Sequence, residues 1–490
     1  MARMLDRSNL HGYQKEFADF LKGGDSTLGL VEMGLGKTAS TLTAIADIEA
    51  ADRAEGKLRR FLVVAPRRVA VHVWPNEVKK WAHLKHLRVA VAVGSPAQRL
   101  RAITDPKAHI VTINYENLEW LLEKFPKGTL PFYGLVMDEV DKMKSPGTKR
   151  FKALRHRVHE FVWRVGMTGT LTPESALNAW APAYLVTAKP QPRLPGQKGQ
   201  SRVDAILGSS YERFCSHYFE ATDFFGHKLE PRAGAVDVIG RELAPITFQA
   251  RAADHLDLPE LIIQDHVYEL DSKIMEQYKQ FEQDFVLALE HDRLGDEDEW
   301  IESPIAEAAN VAVLKNKLRQ MCSGFLYLHQ EGKPRETKWL HNQKVSAYED
   351  MVSELSGLPH LAVYGYQAEV EKLKLDARLG GGISDRDEKA ILAKWNAGQI
   401  KVLGMHPASA GHGLNLQEGG AHHIAFLTLP WSRGLYDQTI ARLRRMGQKM
   451  PVIVHRFIAL GTVEEMVVQA LESKGAVQEA VIAALKRRHG

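Results

Sequence analysis

Short apolar runs with almost no polar interruption constrain this chain most. They fall at residues 28–31, 61–65, 109–113 and 135–137, and again at 361–364, 401–404, 423–426 and 452–455. A strand with one wet face alternates apolar and polar side chains. A continuous run has apolar neighbours on both faces. Stretches of helical spacing separate the runs, such as the one that begins at Lys37. Buried strands alternating with helices predict parallel sheets covered on both sides, and the two sets of runs predict two α/β units. At 490 residues the chain has room for them.

Between the two sets the texture changes. Residues 187–202 are rich in Pro, Gly, Gln and Lys and read as a long loop. Residues 272–290 and 303–320 read as helices, and the acidic run at 295–299 between them as a solvated loop. With 44% hydrophobic and 25% charged residues, a wholly disordered chain is excluded. The two cysteines, Cys215 and Cys322, rule out a disulfide-stapled scaffold and a cysteine zinc site. No apolar run reaches the ~18 residues of a membrane span. The N-terminal residues form no signal-peptide core. A reduced, cytoplasmic setting is expected. The net charge of +4 permits a nucleic-acid surface without requiring one.

The segment Met33-Gly34-Leu35-Gly36-Lys37-Thr38 comes after an apolar run and opens a helical one. Glycines let backbone N–H groups turn inward around a phosphate chain. Lys37 brings a point charge to the β- and γ-phosphates, and the Thr38 hydroxyl ligates Mg2+. The strict pattern has glycine where this chain has Val31, which leaves Gly34 and Gly36 to make the turn. A second apolar run ends in Asp138-Glu139-Val140-Asp141. At the carboxyl end of a parallel strand, Asp138 is placed to hold Mg2+ through water. Glu139 is placed to orient and deprotonate an attacking water. By itself an Asp-Glu pair is more often a surface turn; its place in the same unit as a phosphate loop reverses that reading.

Asp138-Glu139-Val140-Asp141 resembles the acidic box of superfamily-two helicases, and further motifs appear in that superfamily's order. Tyr13-Gln14 is similar to its adenine-reading motif, and residues 63–66 with Trp74 and Glu77 to motif Ia. Residues 112–116 resemble the next strand-end motif, Gly166 to Thr170 motif III, Gly411 to Leu416 motif V, and Gln438 to Gln448 motif VI. Glu32-Met33-Gly34-Leu35-Gly36-Lys37-Thr38, the trailing Lys144, and the spacing of Arg442, Arg445, Gly447 and Gln448 resemble the Swi/Snf-type branch. So does Gly461-Thr462-Val463-Glu464-Glu465. The chain departs from the branch at Leu171-Thr172-Pro173, at Trp431-Ser432-Arg433 and at Val140-Asp141.

The resemblance implies an α/β fold of two RecA-like parallel-sheet lobes, with helical insertions between motifs III and IV and ATP between the lobes. It implies an N-terminal lobe over 1–262 with an insertion at about 180–240, and a helical protrusion over 263–335. A C-terminal lobe over 336–462 and a bracing helix with a basic tail over 463–490 complete the division. ATP and Mg2+ are the implied cofactors. Gln14, residues 33–38, Gly413 and Gln438 would bind nucleotide; Lys37, Asp138, Glu139, Arg442 and Arg445 would act on it. The partner implied is DNA, duplex before single-stranded, through Arg67, Arg68, Lys144 and Asn415. Arg67 and Arg68 could equally be an ordinary basic helix start. His406, His412, His422 and His423 lack zinc spacing and are expected in core or loops.

The function implied is a DNA-dependent ATPase that translocates in replication, recombination or repair. A strand-separating DNA or RNA helicase is the alternative, and an ATP-switched clamp a third. With the motor motifs spread over nearly the whole sequence, a compact bacterial or phage-like member is expected.

Overall fold

The computed structural model describes residues 4–54, 59–171, 175–190, 203–222, 229–293, 304–328, 336–380, 382–408 and 414–486. The chain forms two compact units: the first holds the chain up to Asp257 and the C-terminal segment from Lys474, the second Leu258–Ala410 and Leu414–Ser473.

In the first unit, β1 (Ser26–Val31), β2 (Phe61–Ala65), β3 (Val89–Val91), β4 (Ile110–Asn114), β5 (Gly134–Asp138), β6 (Trp163–Thr168) and β7 (Thr247–Ala250) form one sheet. Its order is β7-β1-β6-β5-β2-β4-β3, and every pairing is parallel. Every residue of β2, β4, β5 and β6 is buried, as continuous apolar runs require. Helix α1 (Gly12–Lys22) lays Tyr13, Phe17, Ala18 and Leu21 inward, one face of a 3.6-residue period. Phe17 stacks on Phe248 of β7, with ring centroids 4.9 Å apart. The region expected as an insertion holds the helices Trp180–Thr187, Tyr211–Tyr218 and Ala235–Leu243. Trp180, Tyr184, Phe214 and Ile239 join the core of this unit.

The second unit repeats the plan with β8 (Leu261–Tyr268), β9 (His360–Val363), β10 (Ala377–Leu379), β11 (Val402–Met405), β12 (His423–Phe426) and β13 (Val452–Ala459). The order is β8-β13-β12-β9-β11-β10, again all parallel. Two chain segments thus reach the same architecture: parallel-sheet α/β units, as the resemblance implied. The expected boundary at residue 262 falls inside β8. That strand pairs with β13 from Leu261 opposite Val452 to Tyr268 opposite Ala459, so the chain enters the second sheet before the helices begin. The helices themselves are α2 (Ser272–Arg293) and α3 (Pro304–Cys322), where the spacing placed them. Tyr278, Leu314, Leu318 and Met321 pack with Val463 at the start of α4 (Val463–Lys486). Residues 294–303, with the acidic run, and the basic end at 487–490 lie outside the described residues. Among the described residues no helix is long and apolar enough to cross a membrane.

Candidate active site

The glycine turn comes directly after β1. Val31 ends that strand beside Ala250, so a glycine is not needed there. Gly34 and Gly36 instead take positive φ, +87° and +73°, which side-chain-bearing residues rarely adopt. Gln14 holds the turn from α1: its Nε2 donates to Leu35 O at 2.9 Å, and its Oε1 accepts from His11 N at 2.9 Å. A Cβ at Gly36 would collide with that amide. Lys37 then begins the helix Lys37–Ala54, with Thr38 buried in its first turn. Met33 is half-buried, Gly34 exposed and Leu35 fully buried beneath the turn.

Asp138 ends β5 and Glu139 comes next, only 2% and 4% exposed. The fold brings Lys37 to both: Nζ lies 2.6 Å from Glu139 Oε1 and 3.5 Å from Asp138 Oδ1. Burial opposes the charge on Lys37, but Glu139 and Asp138 outweigh it and raise its pKa. Burial also pushes the Asp138 carboxyl up, with Lys37 pulling it back down. Two charges this deep are stable only when paired and hydrogen-bonded. Glu139 carries a second signature, a left-handed backbone at φ 61° and ψ 59°. Such a conformation in a non-glycine residue costs on the order of 1–3 kcal/mol and persists where its surroundings enforce it. Tyr115 is one enforcer: its buried hydroxyl lies 3.0 Å from Asp138 O and 3.2 Å from Glu139 O. Asp141 sits next in line, its carboxyl raised to about 7 by burial and by Glu139. The Thr168 hydroxyl at the end of β6 reaches it at 3.4 Å.

Asp138 Oδ1 is buried and, among the described residues, has no donor closer than the Lys37 ammonium at 3.5 Å. With the Thr38 hydroxyl it supplies hard oxygen donors of the kind Mg2+ prefers alongside phosphate and water. Among the described residues no cluster of three or more His, Cys, Asp or Glu could hold a metal by itself. One carboxylate plus a hydroxyl suits an ion that arrives with its nucleotide.

In the second unit, the expected arginines do not ride on a helix face. The helix Arg433–Ile440 carries Gln438 and stops, and Arg442 to Gln448 form the turns after it. These turns are laced to the motif V segment. Leu416 N donates to Arg442 O at 3.2 Å, and Arg445 Nη1 to Leu414 O at 3.1 Å. Gln448 Nε2 donates to Ala421 O at 2.8 Å. Arg442 is buried, Arg445 half-buried and Asn415 exposed. Gly413 and His412 lie outside the described residues. Arg67 is exposed just past β2, while Arg68 and Lys144 are half-buried.

Tyr115 contributes to the site with little signal in the sequence, and Trp431 lines a separate hollow of the second unit. Tyr115 belongs to a strand-end motif, but its hydroxyl reaches the acidic box through folding alone. Trp431 stands in the sequence only as a departure from the branch. It floors a hollow of about 310 Å³ with Lys315, Asn316 and Arg319. Lys315 Nζ and the Arg319 guanidinium lie 5.6 and 5.8 Å from the centre of its ring.

A glycine turn, a helix-starting lysine and buried carboxylates at a strand end describe a phosphate-loop nucleotide hydrolase. Residues 13–188 match the SNF2-related domain. The chain is 33% identical over 469 residues to putative protein p41 of Acyrthosiphon pisum secondary endosymbiont phage 1, covering 93% of this chain and 94% of that one. It is 23% identical over 486 residues to an uncharacterized ATP-dependent helicase of Mycoplasma genitalium, covering 95% of this chain and 42% of that protein. Among solved structures it is similar to the Sulfolobus solfataricus SWI2/SNF2 ATPase core in complex with dsDNA. There the identity is 22% and the TM-score 0.41, over 99% of this chain and 95% of the other. The chain belongs to the SNF2-related family, the Swi/Snf-type branch of superfamily two, and is an ATP hydrolase of that type.

Proposed function

We propose that this protein couples ATP hydrolysis to translocation along duplex DNA. The observation that carries the reading is the buried cluster of Lys37, Asp138 and Glu139 against the glycine turn. The turn cradles the phosphates, and Lys37 offsets their charge. Thr38 and Asp138 would hold Mg2+, which when bound neutralises charge on the phosphate oxygens. Glu139 takes the proton of the attacking water, a step typically worth about 10²–10⁴-fold. Gln14, Gly413 and Gln438 complete the nucleotide contacts in this reading.

Arg445, with Arg442 behind it, supplies positive charge that the γ-phosphate needs most in the transition state. Its tie to Leu414 O links that charge to the neighbouring DNA-contact segment at Asn415. Arg67, Arg68 and Lys144 meet backbone phosphates, which gives affinity without sequence preference. The first unit is the ATP-binding lobe and the second the closing lobe, with α2 and α3 as a protrusion and α4 as the brace. The biological setting in this reading is DNA replication, recombination or repair.

The test is the ATPase rate with no nucleic acid, duplex DNA, single-stranded DNA and RNA, beside strand-displacement assays. Stimulation by duplex, release of a third strand from a triplex and no unwinding of a blunt duplex are expected. Efficient unwinding of a forked duplex with stimulation by single strands alone would falsify the translocase reading and favour a helicase.

A further inference from the structure

The Asp138 carboxylate treats its two oxygens differently. Oδ2 accepts a hydrogen bond from the Trp74 indole Nε1 at 3.0 Å, while Oδ1 is buried and, among the described residues, faces the Lys37 ammonium at 3.5 Å with no closer donor. Trp74 is fully buried, yet it begins the helix Trp74–Lys80, two strands away from β5 in sequence.

The backbone before it is built to bring it there. Val69–Val73 winds as a π-helix, closed by the Trp74 N–H on Val69 O. One such turn holds an extra residue and rotates the next part of the helix relative to α-helical geometry; these turns gather at functional sites. The turn is braced from the sheet: the buried Thr112 hydroxyl of β4 donates to Ala70 O at 2.7 Å. An indole also suits the task chemically. It donates one hydrogen bond, accepts none and carries no charge.

We propose that Trp74 is a positioning residue for the magnesium carboxylate: its indole ties down Oδ2 and so presents Oδ1 to the ion. The inference rests on the ATPase reading of the site. Removing the hydrogen-bond partner of a metal ligand typically costs about 10–100-fold in metal affinity.

Trp74→Phe keeps an aromatic ring and deletes the donor. A fluorescent ADP analogue is titrated with Mg2+ and with EDTA. In the variant, metal-free affinity should stay within about twofold, while the Mg2+ needed for half-saturation rises about tenfold. An unchanged Mg2+ requirement beside a metal-dependent wild type overturns the role of Trp74 alone. A wild type that binds nucleotide no better with Mg2+ overturns the reading of the site itself. A second measurement needs no variant. Wild-type protein labelled with 15N on its nine tryptophan indoles is titrated with Mn2+ and ADP. One indole N–H signal should be erased ahead of the rest by the paramagnetic ion. Equal broadening of all, or none, overturns the proposal.

Discussion

The two α/β units share a sheet plan and differ in how they hold their functional groups. In the first, charged and polar side chains meet one another, Lys37 with Glu139 and Trp74 with Asp138, and Gln14 and Tyr115 add bonds to carbonyls. In the second, the arginine segment is held through main-chain carbonyls, with Arg445 on Leu414 O and Gln448 on Ala421 O. A lattice of paired buried charges is fixed in composition, because removing one partner strands the other at about 3–5 kcal/mol. Carbonyl anchors neutralise no charge, and Arg445 is held with Glu418 as an acidic neighbour and burial opposing its charge. The first unit fixes its charged side chains against one another, and the second fixes its arginine segment against its own backbone.

The sharpest break of this contrast is Glu139→Gln. Turnover should fall by about 10³-fold while nucleotide binding persists, since proton removal is lost and the amide keeps the volume. Single-turnover hydrolysis and equilibrium binding measure the two separately. Lys37→Ala should weaken binding as well as turnover. Arg445→Ala comes next. Its kcat should fall by about 10²–10³-fold with ATP affinity nearly unchanged, as for a contact made mainly in the transition state. A fall in DNA affinity alone would move Arg445 out of the nucleotide site.

The third prediction asks which unit is sensitive to acid. His266, His455 and His423 form a chain of imidazole hydrogen bonds across β8, β13 and β12, at 2.8 and 2.9 Å. Burial, with neighbouring imidazoles adding to it, lowers His423 to about 4 and His455 to about 3. Their folded pKa values lie below the ordinary 6.5, so the unfolded chain takes up protons first. The stability they contribute is complete above about pH 6.5 and is lost as pH falls toward 4. Differential scanning calorimetry between pH 7 and 4.5 should show the second unit's transition falling faster than the first's. His455→Gln should flatten that slope.

The smallest effects are expected at the edges of the site. Tyr115→Phe should cost about 1 kcal/mol in stability and a few-fold in kcat by releasing the carbonyls of Asp138 and Glu139. Lys144→Ala should reduce the salt dependence of DNA binding by about one phosphate contact, with no change in sequence preference. Filter binding across a salt series reads this out.

How much of the molecule is legible in its sequence depends on whether a residue's role is local. Strands such as β2 and β12 announce themselves because both faces are buried. Leu261 to Tyr268 does not: at the sheet edge its burial is patchy, with Ile262, Ile263 and Val267 well exposed, and its pattern matches no simple period. Thr247–Ala250, the edge of the first sheet, is silent for the same reason of position. The glycine turn is readable because positive φ selects glycine at fixed spacing. The partnership of Trp74 with Asp138 is not, since it joins residues 64 apart through a helical irregularity no spacing encodes. The histidines are expected in core or loops, and His423 is in the core; that three imidazoles make a chain comes only from strand order.

Strand order also fixes when each sheet can be finished as the polypeptide is made. The first sheet has its last strand by Ala250, and β7 can settle beside β1 soon after it emerges. In the second sheet β8 is made first and pairs with β13, and the ion pair between Asp265 and Arg456 joins residues 191 apart. At ~5–20 residues per second, β8 waits on the order of 10–40 s for its neighbour. During that interval a strand bearing Ile262, Ile263 and Val267 has both of its hydrogen-bonding edges unclaimed. Nascent chains halted before residue 452 should therefore engage holding chaperones more than chains halted just after the first sheet is complete.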